Sequence, residues 1–144
     1  MMNGDSRSQD EVAVFSLLSR GFDSLPLDVS QPQIELLSAL VMLLDDWSGR
    51  INLTGPRSPE AIASRLVLDT AATANALPEL KTAESVADIG TRAGVPGLPF
   101  AILFPQTCVQ LIDSREKRHH VRRAAKRKLG LENVESIIGR AEVL

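Results

Sequence analysis

Apolar positions along this chain fall into two regimes. Up to about residue 80 they recur at helical spacing. Within residues 11–20, Val14, Leu17 and Leu18 share one face and Gly21 is the candidate stop, while the polar residues 1–10 are expected to fray. Pro26 and Pro32 bracket a connector. Helical periodicity resumes with Ile34, Leu37, Leu40, Val41, Leu44 and Trp47, and Gly49 is the expected breaker. Residues 50–56 are irregular. Ser58, Pro59 and Glu60 then read as an N-cap, an N1 proline and a first-turn acid of a helix running toward Leu77, where Pro78 ends it.

The pattern changes at Ser85. Residues 85–89 form a short strand-like run that meets a turn rich in glycine and proline, residues 90–97. A helix is expected over 98–104, stopped by Pro105. A β-branched, apolar strand follows over 107–112 and ends at Asp113. Ser114 is the expected cap of the next helix, whose stripe is Val121, Ala124, Ala125 and Leu129, with Gly130 as its C-terminal glycine. A third strand is expected over 134–138. Strand, helix, strand, helix, strand is the βαβαβ pattern of a parallel sheet. The expected class is therefore α/β, with a helical region over 1–80 and the sheet region over 81–144.

Composition narrows the picture. The 144 residues carry 16 Lys+Arg against 18 Asp+Glu, are 44% hydrophobic and 3% aromatic, and so suit one folded domain rather than a disordered chain. No apolar run approaches the ~18 residues that a membrane span needs. The polar, acidic N-terminus does not read as a secretory signal. The only cysteine, Cys108, excludes a disulfide framework and a cysteine-based zinc site, and fits a reducing, cytoplasmic setting. Adjacent His119 and His120 point about 100° apart on a helix and make a poor metal pair; no metal is expected.

Two stretches carry candidate chemistry. In the first, Asp88 ends a strand and Gly90, Gly94 and Gly97 punctuate the following turn, which lets the backbone bend sharply and leaves room for a ligand against the main chain. The next helix is expected to aim its amide donors at that ligand. Asp113, 23 residues after Gly90 at the end of the next strand, is placed to accept a nucleoside's ribose hydroxyls. A dinucleotide or S-adenosylmethionine would fit this logic, and so would a βα turn with no ligand. Arg92 occupies the position where a pyrophosphate needs the middle glycine of Gly-x-Gly-x-x-Gly, which favours the methyl donor, whose ammonium Asp88 could accept. In the second stretch, residues 115–128 hold eight of the 16 Lys+Arg. These are the solvated positions of a crossover helix, a phosphate-binding face, or both, since the apolar stripe uses one face only; Arg122, Arg123, Lys126 and Arg127 are the phosphate-binding candidates. Asp45, Asp46 and Asp69 read as ordinary acids, the first two on a solvated helix face and Asp69 in an internal hydrogen bond or salt bridge.

Several pieces then align in order. They are Trp47 with Asn52-Leu53-Thr54; Arg65-Leu66-Val67-Leu68-Asp69-Thr70; Asp88-Ile89-Gly90-Thr91-Arg92-Ala93-Gly94-Val95-Pro96-Gly97-Leu98-Pro99; Leu111-Ile112-Asp113-Ser114 with Lys117-Arg118; Leu129-Gly130-Leu131-Glu132-Asn133-Val134; and Gly139-Arg140-Ala141-Glu142. Over about residues 34–144 the chain resembles the ribosomal RNA small subunit methyltransferase G family, also called the glucose-inhibited division protein B family.

The resemblance implies the first half of a Rossmann-like, class I S-adenosylmethionine-dependent methyltransferase sheet. It also implies a cytoplasmic bacterial enzyme that methylates N7 of a guanine in 16S rRNA of the small ribosomal subunit. By the family's pattern Gly90 and Val95 border the donor, Asp113 takes its ribose, and Ala141 and Glu142 lie near its adenine. Three departures stand out. Arg92 replaces a glycine, Leu66 stands where members usually have His, and members continue beyond the position of Leu144. The chain is expected to be a monomer, with self-association open to it through an uncovered edge at 134–138. The competing reading is a catalytically inactive module that associates with RNA or the ribosome. A nicotinamide-dependent oxidoreductase is disfavoured by Arg92.

Overall fold

The computed structural model describes residues 2–48 and 58–140, with side chains from Arg7 onward. The first helix, α1, spans Met2–Asp23, well beyond the expected 11–20. Its polar start is tied down rather than frayed. Arg7 donates through Nη1 and Nη2 to Asp46 Oδ1 and Oδ2, each at 2.9 Å, and so joins α1 to α2 (Gln31–Ser48). Gly21 does not stop the helix. A Cβ there would lie 2.6 Å from Leu68 Cδ1, so glycine allows a close approach of α1 to the segment around Leu68.

Pro32 falls in the first turn of α2 rather than in the connector, where its missing N–H costs nothing. Ser30 and Gln33 cap that turn reciprocally: Gln33 N donates to Ser30 Oγ at 3.3 Å, and Ser30 N to Gln33 Oε1 at 2.8 Å. Gly49 and residues 50–56 lie outside the described residues.

Ser58 caps the next helix as expected, accepting from Ala61 N at 3.1 Å. The helical path is composite. α3 (Pro59–Ile62) passes into a π-helical stretch (Ala63–Leu68) and then α4 (Asp69–Ala76). Pro78 does more than end it, because it opens a short helix, α5 (Pro78–Thr82).

The sheet comprises β1 (Ser85–Ile89), β2 (Cys108–Asp113) and β3 (Val134–Ile138), all parallel, in the order β1-β2-β3. α6 (Gly97–Leu103) and α7 (Glu116–Leu129) make the crossovers, and Gly130 closes α7 in the left-handed region at φ 64°. This is an α/β fold of the partial Rossmann-like kind. One apolar cluster crosses the expected boundary near residue 80: Val14, Leu18 and Leu40 of the helical region are continuous with Leu98, Val109 and Leu111. α2 packs on α6 and α7, and α4 packs on α6.

β2 is central, with Val109 and Leu111 buried, and β1 and β3 are outer strands. The uncovered edge was expected at β3, but β1 is the more open of the two. Glu84 O accepts from Cys108 N, and Gly90 N donates to Ile112 O, so the even-numbered peptide groups face β2. The peptide groups of Ser85, Ala87 and Ile89 therefore point outward, and Ile89 is 62% exposed. Cys108, expected within an apolar run, is exposed at the start of β2.

Candidate functional site

The carboxyl ends of β1 and β2 meet at the turn of residues 90–97. Gly90 N and Thr91 N both donate to Ile112 O, at 2.8 and 3.1 Å, which folds the start of the turn over the end of β2. Gly90 has φ +73°, and a Cβ there would meet nothing within 4 Å. Gly94, at φ +98°, is packed instead, since a Cβ would strike the Leu98 side chain. Gly97 is closer still, with Leu111 and Asp88 in the way of any side chain. The three glycines thus serve different ends: Gly90 faces open space, while Gly94 and Gly97 permit helix–strand packing.

Asp88 organises the turn from within. Its Oδ2 accepts the Thr91 hydroxyl at 2.6 Å and Gly97 N at 2.9 Å. Leu98 N is bonded to Gly94 O. The helix-start amides that the sequence offered to a ligand are therefore spent inside the protein. Asp88 Oδ1 carries no hydrogen bond among the described residues, which leaves one carboxylate oxygen for a cation.

Asp113 lies directly against the turn. Arg92 N donates to its Oδ2 at 3.0 Å and Arg115 N to its Oδ1 at 2.9 Å, with Arg118 Nη1 at 3.5 Å. The bond to Arg115, two residues on, is an Asx turn, and Asp113 rather than Ser114 prepares the start of α7. Burial alone would raise this carboxyl. The N–H groups of Arg115 and Arg92 and the guanidinium groups of Arg118 and Arg122 outweigh burial and hold it below its ordinary value.

Two cavities open along this ridge. One, of about 480 Å³, lies between β1 and the helical region, and is lined by Asp88, Val95, Gly97 and Phe100 on one side and by Arg65, Leu66, Asp69 and Thr70 on the other. The second, of about 510 Å³, is lined by Gly90, Arg92, Asp113, Arg115, Arg118 and Arg140. Ile89 borders both. Of the predicted donor-site residues, Asp88 and Val95 line the first cavity and Gly90 and Asp113 the second. Gly94 packs beneath the turn between them. Ala141 and Glu142 lie outside the described residues. Arg92 does not block the second cavity: its side chain is exposed at the rim, and its backbone supplies the contact to Asp113.

The basic helix requires a correction. Arg122, placed among the phosphate-binding candidates, is 0% exposed. The inward stripe of α7 is Arg122, Ala125 and Leu129, rotated from the expected one, with Val121 and Ala124 half-buried at its flank. Arg122 Nε donates to Ser136 Oγ at 2.8 Å and Nη1 to Arg92 O at 3.0 Å. Arg123 and Arg127 are exposed and Lys126 is half-exposed. Asp69, expected in an internal bond, is exposed at the first cavity. Asp45 is half-buried rather than on a solvated face, and burial together with neighbouring Asp46 raises its carboxyl. Sequence reasoning gave the helical region no part in the site. The signal was the Arg65–Thr70 run, whose π-helical backbone carries Arg65 and Leu66 at the cavity wall. Among the described residues no group of three or more His, Cys, Asp or Glu side chains could hold a metal ion. Among them also, no helix is long and apolar enough to cross a membrane.

The family model described as rRNA small subunit methyltransferase G matches residues 33–143. The chain belongs to the rRNA small subunit methyltransferase G family. Curated relatives named ribosomal RNA small subunit methyltransferase G include one from Alteromonas mediterranea, 35% identical over 88% of this chain and 58% of the relative. Another, from Pseudomonas syringae pv. tomato, is 38% identical over 87% of this chain and 57% of the relative. A third, from Dichelobacter nodosus, is 38% identical over 94% of this chain and 63% of the relative. The chain therefore spans about three-fifths of the length of these family members. The match covers α2 from Gln33 onward, the π-helical stretch, the turn, Asp113 and all three strands.

Proposed function

We propose that this chain carries the methyl-donor half of an S-adenosylmethionine-dependent methyltransferase acting at N7 of a guanine in 16S rRNA. The observation that carries the proposal is the meeting of Gly90 and Asp113 at one cavity, with Asp88 facing the adjoining one across Ile89. The residues fit the donor group by group. Asp113 keeps acceptor capacity for a ribose hydroxyl beyond its two main-chain bonds. Asp88 Oδ1, without a hydrogen bond among the described residues, is placed to take the ammonium of the amino-acid tail, and Val95 and Phe100 supply an apolar wall. When bound, the donor supplies an electrophilic methyl on a sulfonium.

Guanine N7 carries its own lone pair, so its attack needs no general base. The protein's task is alignment and exclusion of water. Arg123, Lys126 and Arg127 face outward on α7, where they would hold RNA phosphates. Membership of the rRNA small subunit methyltransferase G family supports rRNA as the substrate. The protein would work in the cytoplasm, where ribosomal subunits are assembled. Incubation with labelled S-adenosylmethionine and undermodified 30S subunits tests the reading. Label in 16S rRNA, located to a guanine N7 by base-specific cleavage, is the expected result. An inactive RNA-associated module, the second reading, predicts RNA binding with no label.

A further inference from the structure

We propose that Arg122 is a positioning residue for the donor turn: from beneath, it fixes the peptide of Arg92 and so sets the shape of residues 90–97 around Asp113. This rests on reading the turn as the donor site. Arg92 has φ +56°, a left-handed conformation that side-chain-bearing residues adopt sparingly. Both peptide groups flanking its Cα are held. Its N–H goes to Asp113 Oδ2 at 3.0 Å and its carbonyl accepts Arg122 Nη1 at 3.0 Å. The two buried side chains act as opposing pins on one residue.

Arg122 is itself anchored. Nε donates to Ser136 Oγ on β3 at 2.8 Å, and that oxygen lies 3.0 Å from His119 Nδ1. With Oγ accepting from Arg122, the serine hydroxyl can donate to the imidazole. A chain of contacts thus runs from β3 through α7 to the turn. Position 122 belongs to the inward stripe with Ala125 and Leu129, where a leucine would satisfy packing alone. A fully buried guanidinium is a poor choice for stability, and its Nη2 has no hydrogen-bond partner among the described residues. What the cation gains there is the Arg92 carbonyl and the company of Asp113 and Asp88. Its contribution is therefore to conformation at the turn.

The test compares native protein with Arg122→Met, Arg122→Lys and Ser136→Ala by three measurements. These are calorimetric affinity for S-adenosylhomocysteine, hydrogen exchange of the amides of residues 90–97, and melting temperature. Arg122→Met is expected to bind at least tenfold more weakly and to exchange at the turn at least tenfold faster, with melting unchanged or raised. Arg122→Lys, which reaches one acceptor instead of two, is expected between the two, and Ser136→Ala shifts the same way by less. Native affinity and native exchange in Arg122→Met would overturn the proposal. So would losses no larger than its drop in melting accounts for. Should Arg122→Met fail to fold, Arg122→Lys and Ser136→Ala decide by the same criteria. If native protein does not bind S-adenosylhomocysteine, the donor-site reading fails, and exchange at the turn still decides the tether.

Discussion

Each oxygen of Asp113 accepts a main-chain N–H, from Arg92 across the turn and from Arg115 two residues on. The spacing between Gly90 and Asp113 was readable in the sequence. The partners were not, because a carboxylate at the end of a strand can face a ligand, the backbone or both. Replacing it should therefore cost stability as well as ligand affinity. Asp113→Ala removes the carboxylate from two part-buried N–H groups and is expected to destabilise by about 1 kcal/mol in chemical denaturation. Gly90→Ala makes the complementary case. Its Cβ meets nothing, but φ +73° penalises it by about 1 kcal/mol.

His119 is the residue to follow with pH. Burial, then the positive charges of Arg122 and Arg123, lower its pKa from the ordinary histidine value of 6.5. A depressed folded-state pKa means that the unfolded chain binds the proton more readily. The associated stability is present above pH 6.5 and is lost as pH falls through the folded value. Melting temperature should fall between pH 7 and pH 5, and His119→Gln should flatten that slope. An unchanged slope in the variant would place the pH sensitivity elsewhere.

At the scale of elements, the bounds of β1 and β3 match the expected 85–89 and 134–138, because short segments carrying Val and Ile, each closed by a glycine at 90 or 139, leave little choice. α1 and α7 depart from the sequence pattern for one shared reason: polar residues that the pattern assigns to solvent have partners in the fold. Residues 2–10 are helical because the Arg7–Asp46 pair and the packing of α1 on α2 hold them. Arg122 is buried because the turn offers it a carbonyl. Periodicity sees polarity but not a partner distant in the chain. The Ser30–Gln33 pair carries the capping-box spacing in the sequence, and Pro32 between them sits in the first turn that the pair caps.

These differences separate strong elements from weak ones. Leu111→Ala on the central strand should cost about 2–5 kcal/mol, since a fully buried leucine leaves a cavity. Arg7→Ala, which breaks a half-exposed ion pair, should cost no more than about 1 kcal/mol. Denaturant unfolding of both variants checks the ranking.

At the scale of the whole molecule, the helical region and the sheet share one apolar core, and the first cavity lies between them. The candidate site is therefore a property of both halves, although sequence patterns assigned its chemistry to the second alone. Charge is distributed with equal consequence. The net charge is −2, yet exposed cations gather on α7 and around the second cavity. The proposed contact with 16S rRNA should accordingly weaken with salt. Neutralising Arg123, Lys126 and Arg127 together should reduce the slope of log affinity against log salt by about 2 to 3. Arg122→Met should leave that slope unchanged, because its guanidinium does not reach the surface.

The proposed donor site lies between the glycine turn and Asp113, and calorimetric titration of the purified protein with S-adenosylmethionine measures its binding most directly. One binding site per chain, at least tenfold weaker in Asp113→Asn while that variant still melts cooperatively, is the predicted result. Absence of binding by the folded native protein, or undiminished binding by Asp113→Asn, would contradict it.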